Sequence, residues 1–237
     1  MSVIWHDLEC GSYAQDLPLW RGLAEQQKGR VLEIGAGTGR VTLELARDGH
    51  HVTALDTDAQ LLAALAERAH GLPVEILCTD AREFGLARRF ALCIVPMQTV
   101  QLFGGREGRL RFLRHARAHL ESEGLLAITV VSGLEAYDGL DVPHSPVPDM
   151  TEIDGVVYSS QPTAISSARG QFTLVRRRQR VDRDGQRSSW EDAIALDPLV
   201  PSELEREAQS VGLRLGGRGR IAATADYAGS EVVILRA

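Results

Sequence analysis

The chain has 237 residues, 44% of them apolar, and a formal net charge of −6 at pH 7. That length suits one catalytic domain with a sizeable core and leaves no room for a second full domain. No apolar run is long enough to cross a bilayer, the N-terminus lacks a signal-peptide pattern, and the acidic balance argues against general attraction to nucleic acid or anionic membrane.

Residues 1–29 precede the first predicted strand and carry Trp5, Tyr13 and Trp20, which either fold over a ligand or pack on the end of a sheet. A strand over 30–35 then runs through Gly35, Gly37 and Gly39 into an amphipathic helix over 39–48. The second strand, 51–56, ends at Asp56, whose carboxylate can accept two hydrogen bonds from a ribose diol. Asp56-Thr57-Asp58 also fits a cap for the helix at 58–70, where Leu61, Leu62, Leu65, Ala66 and Ala69 form an apolar stripe. Asp80, likewise, either faces a ligand or caps a short turn. Strands near 73–78, 90–96 and 124–131 and a helix at 107–120 complete the alternation, which implies a mainly parallel sheet with helices on both faces. In such a sheet the carboxyl ends of the strands face one crevice, so Glu33, Asp56 and Asp80 should converge there.

After Val131 the pattern changes. Pro143, Pro146 and Pro148 punctuate a polar loop containing His144, followed by strand-like segments at 153–160, 162–168, 171–182 and 186–195, with a hairpin signal at Asp184-Gly185. A helix near 201 and strands near 213–217 and 231–236 close the chain. The region 140–196 therefore reads as an antiparallel insertion. Within it, Arg176-Arg177-Arg178 and Arg180 cannot form one stripe, because neighbours on a strand face opposite ways. A solvated or partner-contacting sheet face is favoured over nucleic-acid binding, with an anionic group gripped by one arginine as a further option. His115 and His119 have zinc-ligand spacing, but Ala116 replaces the glutamate of H-E-x-x-H and no third ligand is evident, so a wet helix face and no metal are expected. Cys10, Cys78 and Cys93 lack paired spacing and suit a reducing, cytoplasmic setting as core residues.

The glycine turn decides the ligand. A dinucleotide fingerprint is G-x-G-x-x-G; here the third glycine comes one residue early and Arg40 stands in its place. The Glu33 carboxylate would repel a pyrophosphate but suits a cationic amine. S-adenosyl-L-methionine carries an ammonium, a ribose and an adenine and no phosphate, so it fits this inventory better than NAD does.

At these residues the chain resembles the class I S-adenosylmethionine-dependent methyltransferases. Glu33-Ile34-Gly35-Ala36-Gly37-Thr38-Gly39 matches the first motif, E/D-x-G-x-G-x-G, at every fixed position. Asp56-Thr57 looks like the ribose clamp. Cys78-Thr79-Asp80-Ala81-Arg82 looks like the third motif, with Asp80 accepting from the adenine amino group. Ala91 to Val95 resembles the fourth strand, with Pro96 and Met97 at its edge over the methyl donor, and Gly124 to Val131 the fifth, entered through an acidic-Gly turn. The resemblance covers roughly residues 30–131 closely. It implies a Rossmann-like, seven-stranded, mostly parallel sheet with helices on both faces and an antiparallel β insertion after the fifth strand, in a single domain over 1–237.

Among small-molecule members, the amino-sugar N-methyltransferases and glycine N-methyltransferase are similar. That likeness implies that residues 1–29 cover the cofactor, with Tyr13 touching its methionine carboxylate. It also implies that 140–196 is a lid or dimerisation sheet in a monomer or homodimer. The chain departs from the amino-sugar pattern S-S-I-G-H-L, placing Leu102 where the histidine would fall. It also lacks D/N-P-P-Y, with Pro96-Met97-Gln98 in that place, which weakens a reading on nucleic-acid bases. Candidates for handling the acceptor are His144 as a base and Gln98 and Gln101 as orienting groups, although Gln101 could equally bond loop backbone. The expected activity is methyl transfer to an O or N atom of a small molecule in specialised metabolism. The alternatives are non-methylating chemistry in the same pocket, such as cyclisation or rearrangement, and a nicotinamide-linked oxidoreductase.

Overall fold

A computed structural model describes residues 3–131, 137–138, 147–168, 171–224 and 227–237. Two helices, α1 (Val3–Cys10) and α2 (Leu17–Gln27), come before the first strand. Strands and helices then alternate through β1 (Val31–Ile34), α3 (Arg40–Arg47), β2 (Val52–Asp56), α4 (Ala59–Arg68), β3 (Val74–Cys78) and β4 (Phe90–Val95). A 3-10 turn at Thr99–Leu102 leads to α5 (Gly105–His119) and β5 (Leu120–Val130). Next come β6 (Tyr137–Asp138), β7 (Asp149–Ile153), β8 (Val156–Ala168), β9 (Gln171–Val181) and β10 (Arg187–Leu196), and last α6 (Pro201–Ser210), β11 (Arg214–Ile221) and β12 (Ser230–Arg236).

Seven strands form one sheet in the order β11-β12-β5-β4-β1-β2-β3. The strands from β3 to β5 are parallel, and β12 joins antiparallel to β5. β1 and β4 are buried along their whole length, as expected of parallel strands covered on both faces. Helices α5 and α6 pack on one face through Phe112, Leu113 and Leu204, and α2 and α3 on the other through Trp20, Val41 and Leu45. Strand order reverses between β1 and β4, which leaves a crevice at their carboxyl ends.

The expected first four strands and the two halves of the chain are found; several details differ. β5 begins at Leu120, because the acidic-Gly turn is a bulge within the strand: Phe90 pairs with Leu120 and Leu92 with Leu125, with Glu123 at φ 65° between them. The two strands expected at 153–160 and 162–168 are one strand, β8, which absorbs Pro162 through a register shift before Ala164. Its hairpin partner β7 arrives through Asp154-Gly155, both at positive φ, a turn the sequence reading placed inside a strand. β6 to β10 make a second, five-stranded antiparallel sheet.

The arginine run is a correction of the solvated-face expectation. Arg178 points inward, 5% exposed, and donates to the Glu9 carboxylate of α1 at 2.7 and 2.8 Å while pairing with Asp192 at 2.9 Å. Ser160 Oγ donates to the same carboxylate at 2.7 Å, and Arg176 reaches Ser160 and Asp149. Trp5 stands edge-on to Tyr158 and Trp190, under the Arg178 guanidinium. Charge and aromatic packing together fasten α1 to the second sheet. The histidine pair is likewise structural, not a wet face: His115 donates to the Phe84 carbonyl, while His119 accepts from the Leu86 N–H and donates to the His115 carbonyl. Cys93 is a core residue as expected, but Cys78 is exposed.

Truncating Arg178 to Met should strand Glu9 as a buried, unpaired carboxylate and cost about 3 kcal/mol or more in urea unfolding. The Glu9→Gln/Arg178→Met double variant should regain part of that loss.

Candidate active site

A cavity of about 440 Å³ opens at the carboxyl ends of β1, β2, β3 and β4, with α1 as its cover. β2 delivers Asp56, whose Oδ2 accepts from the Gly37 N–H at 2.8 Å and whose Oδ1 accepts from the Asp58 N–H at 3.0 Å. These bonds fix the carboxylate while each oxygen keeps a second lone pair for a ligand. The helix-capping role belongs instead to Asp58, which accepts from the Gln60 and Leu61 N–H groups. Thr57 lies beside Asp56 in the wall.

β1 delivers Glu33, 2% exposed and hydrogen-bonded by the Thr42 hydroxyl. Burial pushes its carboxyl up to about 8, opposed by the Thr42 bond and the Arg40 charge and reinforced by Asp16 and Asp56. Arg40 is engaged elsewhere: it grips the fully buried Asp16 at 2.6 and 2.8 Å, donates to the Tyr13 carbonyl and lies over the Tyr13 ring. Glu33 therefore lines the cavity without a dedicated counter-ion, which suits a ligand bearing its own positive charge.

At the end of β3, the Asp80 carboxylate accepts from the Arg82 backbone N–H at 2.7 Å and from its guanidinium at 2.6 Å, which holds its pKa below the usual carboxylate range. Arg82 also donates to the Phe103 carbonyl, and Ala81 completes this wall. β4 ends at Pro96, Met97 and Gln98. Met97 has φ 55°, a strained value for a non-glycine residue, and the Thr129 hydroxyl bonds its carbonyl. Gly35 and Ala36 form the floor; a Cβ at Gly35 would come within 2.6 Å of the Thr99 side chain.

Other expected residues lie elsewhere. Gly37, Thr38 and Gly39 are outside the cavity lining, and the Thr38 hydroxyl donates to Asp7 of α1. Tyr13 is also outside it, packed on Tyr227, Ile221 and Val232 at the end of the sheet, the alternative the sequence left open. Gln101 is 1% exposed and bonds backbone: it accepts from the Val131 N–H and donates to the Val131 and Asp197 carbonyls. It thus ties together the chain segments leading into and out of the second sheet. His144 lies outside the described residues. Sequence reasoning missed His6, Glu9 and Cys10 of α1, together with Arg40, Phe103 and Ile194, all in the cavity wall. The Ile4-Trp5-Leu8 spacing was the available sign of α1. Among the described residues no cluster of three potential ligands could hold a metal, and no helix is long and apolar enough to cross a membrane.

Residues 31–124 match the family described as "Methyltransferase domain". A stretch of 57 residues is 47% identical to the ribosomal RNA small subunit methyltransferase A of Deinococcus radiodurans, covering 24% of this chain and 20% of that protein. The chain spans less than two thirds of the length of the curated relatives it matches first. Among solved structures, the CcbJ methyltransferase from Streptomyces caelestis is 22% identical with a TM-score of 0.70, over 96% of this chain and 91% of that one. CalS10, an amino pentose methyltransferase from Micromonospora echinaspora, is 16% identical with a TM-score of 0.73, over 100% and 97%. Residues 31–124 thus resemble a methyltransferase domain, and the chain has the fold of these solved methyltransferases.

The Glu33 shift has a measurable consequence. Its carboxyl titrates near 4.5 when unfolded and near 8 when folded, so stability falls as pH rises through that window. Glu33→Gln should raise stability at neutral pH by on the order of 3 kcal/mol, with the gain shrinking to nothing toward the lower limit. Thermal melts across that range check it; a Glu33→Gln variant less stable than the parent at neutral pH contradicts it.

Proposed function

We propose that the protein transfers a methyl group from S-adenosyl-L-methionine to an O or N atom of a small molecule. The observation that carries this reading is the meeting of Glu33, Asp56 and Asp80 at three neighbouring strand tips, with Glu33 buried and short of a cation. On this reading Glu33 receives the ammonium, Asp56 the ribose diol and Asp80, steadied by Arg82, the adenine amino group. A pyrophosphate would meet Glu33 instead, with the nearest guanidinium already committed to Asp16. The chemistry supplied by the bound cofactor is an electrophilic methyl with a neutral thioether as leaving group.

The protein's part is to hold the acceptor in line and keep water out. α1 covers the cavity from over the glycine turn, and Phe103 and Ile194 line it as well, so the second sheet and α1 jointly shape the acceptor end. Gln98 is the polar side chain at the β4 tip available to orient an acceptor. A cavity of about 440 Å³ suits a small-molecule substrate. The amino pentose methyltransferase among the structural neighbours supports that class. The insertion over 140–196 serves as a lid or dimer contact in a monomer or homodimer. Three free thiols fit a reducing, cytoplasmic setting.

Titration calorimetry should show binding of S-adenosylhomocysteine and none of NADH. Asp56→Ala should weaken that binding by roughly 2 kcal/mol or more through loss of charged acceptors. Unchanged affinity would remove Asp56 from the site. Incubation with S-adenosylmethionine and candidate acceptors should release the demethylated thioether together with a methylated product.

A further inference from the structure

His6 is a half-buried titratable group in the cavity wall that the mechanism above leaves unused. Its hydrogen bonding fixes its tautomer. Arg68 clamps the Asp7 carboxylate with two donors, one at 3.0 Å, and the Thr38 hydroxyl donates its only proton to the same carboxylate at 2.7 Å. The His6 Nδ1, 3.1 Å from the Thr38 oxygen, must therefore be the donor of that pair. In the neutral ring this leaves Nε2 as a bare acceptor.

That Nε2 lies over the glycine turn, where a Cβ at Gly37 would come within 2.3 Å of it. Gly37 is also the residue whose N–H holds the Asp56 carboxylate. The acceptor nitrogen and the diol-binding acid therefore share one backbone position. We propose that His6 Nε2 is a second hydrogen-bond acceptor for the ribose hydroxyls of the cofactor, beside Asp56. This rests on the cofactor reading above and adds to it a residue from outside the strand tips.

The assignment makes cofactor binding sensitive to acid, since a protonated Nε2 cannot accept. Asp7 and Glu9 on its own helix and Asp56 on β2 favour the proton, Arg40 on α3 opposes it, and burial outweighs them all. The neutral form accordingly dominates at neutral pH.

The test is calorimetry of the wild type, His6→Phe and His6→Gln with two ligands, S-adenosylhomocysteine and 5′-methylthioadenosine, the second keeping adenine and ribose but no amino acid. Circular dichroism and thermal melts establish that each variant is folded, and the Gln variant serves if Phe disrupts α1. His6→Phe should lose about tenfold in affinity for both ligands, the size of one hydrogen bond, and Gln should recover part of that through its own acceptor. As the pH falls below the ordinary imidazole range, about 6.5, the wild type should lose affinity that His6→Phe does not lose. Unchanged affinity in both variants overturns the proposal, as does a loss confined to S-adenosylhomocysteine, which would place the contact at the amino-acid end. A wild type that binds neither ligand overturns the cofactor reading as well.

Discussion

A parallel sheet whose strand order turns back between β1 and β4 leaves a gap at that point which no crossover helix covers. Everything functional follows from what the strand tips present to that gap. β1 presents a buried acid and a glycine turn. β2 presents an acid pinned by the turn's own backbone, and β3 presents an acid braced by an arginine. Each carboxylate is held by the chain itself through Gly37, Thr42 or Arg82. The site is thereby organised before any ligand arrives, and little ordering cost remains for binding to meet.

That organisation has a thermodynamic side. Asp16 and Arg40 neutralise each other beneath the site, and Glu33 is left with one hydroxyl partner and a carboxyl that resists ionising. On the proposed cofactor reading, Glu33 lowers stability in the empty protein and gains a cation on binding, a form of strain kept at a functional position. The strained backbone of Met97, braced by Thr129, is a second case, just beyond β4. α1 is held by a buried ion pair to the second sheet and by Asp7 to Arg68 and Thr38, so one short helix joins the glycine turn to the second sheet.

The central strands and their acids were legible because parallel strands buried on both faces read as short apolar runs, and Glu33, Asp56 and Asp80 lie at or near the carboxyl ends of those runs, which border the crevice. What the sequence concealed depended on distant pairing. α1 has eight residues, no acidic residue in its first turn and no basic residue in its last, so local propensity does not announce it. α2 was legible in principle from Asp16-Leu17-Pro18 and the spacing of Trp20, Leu23 and Ala24, a helix start that went unread. Alternation showed that the arginine run splits between two faces, but only the register against β8 and β10 decides that Arg178 turns inward to Glu9. Gln101 could be read either as a substrate contact or as a backbone tie; its partners, Val131 and Asp197, which decide for the second, come from the ends of a segment no local pattern connects. The strands expected at 153–160 and 162–168 were not joined, because the bulge that tolerates Pro162 is visible only with its partner strand in place.

The most direct test of the account is a crystal structure determined with S-adenosylhomocysteine bound. The account predicts the compound in the β1–β4 crevice, with Glu33 against its ammonium, Asp56 against its sugar and Asp80 against its purine edge. Density in another groove, or these three carboxylates turned away from the compound, would contradict it.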